Sequence, residues 1–177
     1  MDDWTPERVV DRLQIQEILY RYCRAIDRIQ MDILASVFHT DAGISRNGTP
    51  FPVADFIAEV AKRHPTVPKA SHMVTSFLID FTGPDSAFCE SWCLAVEQRP
   101  NDGDPSQSTD HVVRVRYGDK FERRDGVWRI AERTFIVDHV MAVPTNSAHL
   151  LDFSDRLAAR RDSEDHILKL RRAEMKN

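Results

Sequence analysis

The chain has 177 residues, 42% of them hydrophobic, and a formal net charge of −4, a length that makes one domain with a sizeable core. Its Lys and Arg residues are dispersed rather than gathered in a stripe, which argues against a nucleic-acid partner. No apolar run approaches the roughly 20 residues of a membrane helix, and Met1-Asp2-Asp3-Trp4 lacks the regions of a signal peptide, so a cytoplasmic location without membrane contact is expected.

In chain order, Val9, Leu13, Ile18, Leu19, Tyr22 and Ile26 recur at helical spacing between Pro6 and about Arg28, with Thr5 placed as cap and Pro6 in the first turn. Ile33, Leu34, Val37 and Phe38 predict a short second helix from Met31 to Phe38, in a hairpin with the first. Gly48-Thr49-Pro50-Phe51-Pro52 reads as loop. Phe56, Ile57 and Val60 then mark a third helix from Val53 to about Arg63, stopped by Pro65 and Pro68.

Residues 71–81, 86–98, 110–123 and 127 to about 143 are rich in β-branched and aromatic side chains and read as strands. The last two are joined at Asp125-Gly126, a pair that supplies the positive φ angles of a tight hairpin turn. Helices first and a meandering antiparallel sheet second predict the α+β class. Beyond Pro144 the chain is strongly charged, with Leu157, Ile167, Leu168 and Leu170 the sizeable apolar residues after Phe153. That pattern predicts a helix on the body or on a partner subunit, and divides the chain into a domain over 1–143 and a helical extension over 144–177. Cys23, Cys89 and Cys93 lack the paired spacings of zinc sites or disulfide frameworks and read as reduced packing residues.

Three helices against a curved sheet make a cone with an apolar cavity between its concave face and the first helix, where any site is expected. The run Ile18-Leu19-Tyr20-Arg21-Tyr22-Cys23-Arg24-Ala25-Ile26-Asp27-Arg28, with Phe38-His39-Thr40-Asp41-Ala42, Ser71-His72-Met73 and the Asp125-Gly126-Val127-Trp128 hairpin, resembles the SnoaL-like proteins of the nuclear-transport-factor-2-like superfamily, as far as roughly residue 140. The resemblance implies a cone-shaped barrel, with N-terminal helices packed on a curved, mostly antiparallel sheet. It also implies the chemistry of scytalone dehydratase, bile-acid 7α-dehydratase and hexachlorocyclohexane dehydrochlorinase, in which an Asp-His pair carries out elimination without metal or cofactor.

Carried onto this chain, that pair is Asp27 and His72. A histidine removes a proton from carbon beside a carbonyl, while a carboxylate orients its ring and stabilises the imidazolium. Arg133 matches the dehydrochlorinase's cavity arginine, and Tyr22 a pocket tyrosine of the bile-acid enzyme. Tyr22 and Asp27 lie five residues apart, roughly 140° around an ideal helix, so both line one pocket only if it wraps the helix or the helix ends near Asp27.

The residues also allow plainer roles. Asp27 with Gln30 fits a capping box for the Met31 helix, and His72 alternates with Val74, Ser76 and Leu78 as a half-buried strand histidine would. Arg133 alternates with Ala131, Phe135 and Val137, where a charge demands a carboxylate or a ligand; adjacent Glu132 faces the other way. His111, Val113, Val115 and Tyr117 share a strand face, and His111 and Tyr117 are candidate pocket residues. Phe77, Trp92, Trp128 and Phe135 fit either an aromatic ligand box or core.

The reading that follows is a cofactor-independent lyase eliminating water or HX from a hydroxylated cyclic or polycyclic small molecule, with His72 as base and Asp27 as its orienting carboxylate. Three alternatives stay open: an isomerase or polyketide cyclase on the same scaffold, the non-catalytic β-subunit of an aromatic-ring hydroxylating dioxygenase, or a ligand-binding module. The family likeness further implies a homo-oligomer, dimer or trimer, and a small hydrophobic, aromatic or polycyclic substrate.

Overall fold

The first helix, α1 (Pro6–Asp27), opens where Thr5 Oγ1 accepts the Arg8 amide at 3.3 Å and Pro6 pre-sets the first turn. It ends at Asp27, and the chain reverses through Ile29, whose φ of 53° is rare for a β-branched residue. The amides of Ile29 and Gln30 fold back onto the carbonyls of Ile26 and Ala25, satisfying part of the helix end. The computed structural model describes residues 4–145 and 156–175, without the side chains of 105 and 106.

Helix α2 (Met31–Ser36) stops short of Phe38, which instead starts strand β1 (Phe38–Ser45). The segment read as loop contains strand β2 (Pro50–Pro52), antiparallel to β1 with Ile44 opposite Phe51. Helix α3 (Val53–Arg63) and a 3-10 turn (His64–Thr66) follow. Strands β3 (Lys69–Gly83), β4 (Ser86–Asn101), β5 (Asp104–Arg124) and β6 (Val127–Thr145) form the expected meander, each longer than its sequence pattern. Asp125 and Gly126 adopt φ of 52° and 77° and close the β5–β6 hairpin in two residues.

The sheet order is β2-β1-β6-β5-β4-β3, antiparallel except for the parallel pair β1–β6. Because β2 and β3 are edges, the cone is an open mixed sheet and not a closed barrel. Ile15, Leu19 and Ile26 of α1 are buried in one cluster with Leu34, Ile44, Phe121 and Ile130. The start of α1 is fixed by Asp11, which accepts from Arg8 at 3.1 Å, Arg123 at 2.9 Å and the Trp128 indole at 2.8 Å.

The C-terminal pattern folds as helix α4 (His166–Glu174), capped by Asp165 and anchored by buried Leu168, while Leu157, Ile167 and Leu170 stay exposed. Residues 146–155 of the expected extension, Phe153 among them, lie outside the described residues. No described helix is long and apolar enough to cross a membrane.

Candidate active site

The last turn of α1 and the start of β3 meet at one carboxylate. Asp27 Oδ1 accepts from the His72 ring at Nδ1, 2.8 Å away, and Oδ2 accepts the His72 backbone amide at 2.9 Å. Two contacts from one side chain fix both the position of the strand and the plane of the imidazole. With Nδ1–H donated to Asp27, Nε2 is the basic nitrogen, and no described residue is hydrogen-bonded to it. The capping role open to Asp27 is not what forms: the α2 N-cap is Gln30, which makes no side-chain cap bond.

His72 lines a cavity of about 390 Å³ between α1, α3 and the sheet. Tyr22 and Ile26 from α1, Phe56 and Val60 from α3, and Val113, Val115, Tyr117, Phe135 and Val137 from the sheet form its apolar wall. Tyr22 and Tyr117 meet edge to face at 5.7 Å, as do Tyr117 and Phe135 at 5.3 Å. Burial pushes the Tyr22 and Tyr117 phenols up, so both are neutral donors at physiological pH. Tyr22 and Asp27 reach one cavity because the helix ends at Asp27.

Charged groups line the same cavity. Arg46 pairs with Glu59 at 2.8 Å, and Arg63 and Arg99 both donate to Glu97. Burial opposes the Glu97 charge, yet the hydrogen bonds from Arg63 and Arg99 hold its carboxyl at about 2. His64 lies between two guanidiniums, Arg63 Nη2 at 2.8 Å from Nε2 and Arg161 Nη2 at 2.9 Å from Nδ1. A neutral imidazole has one lone-pair nitrogen, so only one of these contacts is a hydrogen bond in either tautomer. Burial, then the Arg63 charge, lower the His64 pKa to about 4. None of these polar residues was legible in sequence, where each is one more charge on a helix or strand.

Three expected site residues are placed differently. Arg133 does not open into the cavity. It is fully buried behind Tyr22 and Tyr117, its guanidinium carbon 4.0 and 4.2 Å from their ring centres. Nε and Nη2 are taken by Asp119 at 2.7 and 2.6 Å, because a charge this deep is held only by a paired carboxylate. Burial pushes the Asp119 carboxyl up, and the adjacent guanidinium opposes that shift. Asp119 is missing from the sequence reading, although it sits opposite Arg133 once the hairpin is folded about Asp125-Gly126.

Trp92 is 37% exposed, with Arg116 5.4 Å from its ring, and does not line the cavity, since successive strand residues face opposite ways and Cys93 takes the inward place. His111 is half-buried opposite Glu97 and Ala142, one step along its strand face beyond Val113, and also falls outside the lining. Tyr117 and Phe135 do line it. Cys23, Cys89 and Cys93 are free and buried. Among the described residues, no three His, Cys, Asp or Glu groups cluster so as to hold a metal ion.

Solved structures share this fold. A hexachlorocyclohexane dehydrochlorinase of type 2 is 20% identical, with a TM-score of 0.68 over 82% of this chain and 96% of its own. A scytalone dehydratase-like protein from Novosphingobium aromaticivorans is 19% identical, with a TM-score of 0.65 over 81% of this chain and 97% of its own. A Mycobacterium tuberculosis protein of unknown function is 25% identical, with a TM-score of 0.61 over 76% and 77%. No curated protein matches the chain. The family model for the SnoaL-like domain matches residues 7–134, most of the chain, and with the helix-then-sheet architecture described above it establishes that this protein belongs to the SnoaL-like family.

Proposed function

We propose that the protein is a cofactor-independent lyase that eliminates water, or HX, from a cyclic or polycyclic small molecule carrying a carbonyl near the leaving group. The observation that carries this reading is the doubly held His72: Asp27 fixes its Nδ1 and its backbone amide, and the ring lines a cavity with an apolar wall and a charged rim.

His72 Nε2 takes a proton from the carbon beside the carbonyl, and the Asp27 carboxylate stabilises the imidazolium. The C–H electron pair forms the new double bond as the leaving group departs, and the imidazolium returns its proton to a departing hydroxyl. Tyr22, a neutral phenol lining the cavity, donates in this reading to the substrate oxygen that gains charge. Arg133 takes no direct part; it supports the tyrosine wall from behind. The fold shared with a hexachlorocyclohexane dehydrochlorinase and a scytalone dehydratase-like protein supports the reaction class.

The test is turnover of a panel of cyclic β-hydroxy ketones, with products identified by mass. A product lighter by one water is expected, with kcat reduced about 10²- to 10⁴-fold in His72→Ala while the fold is retained. A product of unchanged mass would mean isomerisation. Equal turnover by wild type and His72→Ala would remove His72 from the chemistry.

A further inference from the structure

A residue far from the dyad in sequence touches both backbone segments that lead to it. Arg161 lies in the C-terminal segment, beyond residues 7–134 that the family model matches. Its guanidinium donates from Nε to the Asp27 carbonyl at 3.0 Å and from Nη2 to the Ile26 carbonyl at 2.9 Å, two carbonyls at the end of α1, of which the second also accepts the Ile29 amide. The same group donates from Nη1 to the carbonyls of His64 and Val67, in the turn that leads into β3. The segment is tied down on either side of this contact: Arg28 donates to the Arg160 carbonyl at 2.7 Å and pairs with Asp165 at 3.0 Å.

One planar cation thus joins the two pieces of backbone that carry the dyad, the end of α1 with Asp27 and the entry to the strand with His72. The Asp27 carboxylate makes contacts of 2.8 and 2.9 Å to two different groups of His72. A side chain as short as aspartate keeps both only while its own backbone is held in place.

We infer that the C-terminal segment is a working part of the site and that Arg161 is a positioning residue, holding Asp27 and thereby the His72 ring. The inference rests on the dyad reading above, and its test does not need turnover. In protein carrying ¹⁵N-histidine, the His72 Nδ1–H bonded to Asp27 gives a downfield proton resonance, assigned by its disappearance in His72→Gln. Arg161→Gln is expected to make exchange of that proton with water at least about tenfold faster, or to erase the signal, with the amide spectrum of the sheet unchanged. Arg161→Lys, which keeps the charge but not the planar fork, is expected to give a smaller effect in the same direction and serves if the glutamine variant does not fold. A His72 resonance with wild-type exchange in both variants would overturn the positioning role while leaving the dyad intact. Absence of the resonance in the wild type would overturn the Asp27–His72 bond itself, and the inference with it.

Discussion

At the residue scale, two acid–base pairs of the interior differ in how closed they are. Asp27 and His72 form a pair whose Nε2 has no hydrogen-bond partner among the described residues and whose ring lines a cavity, whereas Asp119 and Arg133 form a closed pair with no exposed side-chain surface. Removing one partner of such a closed pair strands a charge, so Asp119→Ala should cost about 3 to 5 kcal/mol in chemical denaturation. The double variant Asp119→Leu with Arg133→Met should recover most of that loss, because no charge is left without a partner. Asp27 and His72 were legible as types at positions, through family resemblance, but their hydrogen bond spans 45 residues of sequence and only the fold brings it about. Arg133 is legible as a charge needing a partner; which partner is not, because Asp119 lies across the hairpin.

At the element scale, α1 and the β5–β6 hairpin follow directly from local pattern: Thr5 and Pro6 open the helix, and Asp125-Gly126 turns the hairpin. Gly126→Ala at φ of 77° should lower stability by about 1 to 2 kcal/mol, read by thermal melting, and leave the cavity's ligand affinity unchanged. Strands β1 and β2 were not legible. Phe38-His39-Thr40-Asp41 carries no clean alternation, and β1 exists because β6, almost a hundred residues later, offers it a parallel edge. Ser36 and Val37 end α2 for the same reason, since the Val37 carbonyl accepts the Ile130 amide at 3.0 Å. Tertiary pairing overrides the helical pattern beyond its first six residues.

At the scale of the whole molecule, the cavity is assembled from α1, α3 and four strands, and its charged lining adds a pH dependence to folding. The His64 pKa in the fold is about 4 against an ordinary 6.5, so the unfolded chain binds more protons between these values. The stability that neutral His64 supplies is therefore complete above about pH 6.5 and is lost as pH falls toward 4. Glu97, held at about 2 against an ordinary 4.5, adds a further loss below pH 4.5. The melting temperature should fall from pH 6.5 to 4, and His64→Asn should flatten that part of the curve. The class, the strand meander and the place of the cavity could be read from sequence; its charged lining and the reach of the C-terminal segment could not, because both arise where distant elements meet.

Proton removal from carbon by His72 inside this cavity can be isolated from elimination. 1-Tetralone, a bicyclic ketone with no leaving group, is incubated with the protein in heavy water, and loss of its α-proton signal is followed by NMR. The wild type should exchange the α-proton faster than buffer, and His72→Ala and Asp27→Asn should return the rate toward that of buffer by about 10²-fold or more. Exchange at the wild-type rate in His72→Ala would contradict the account.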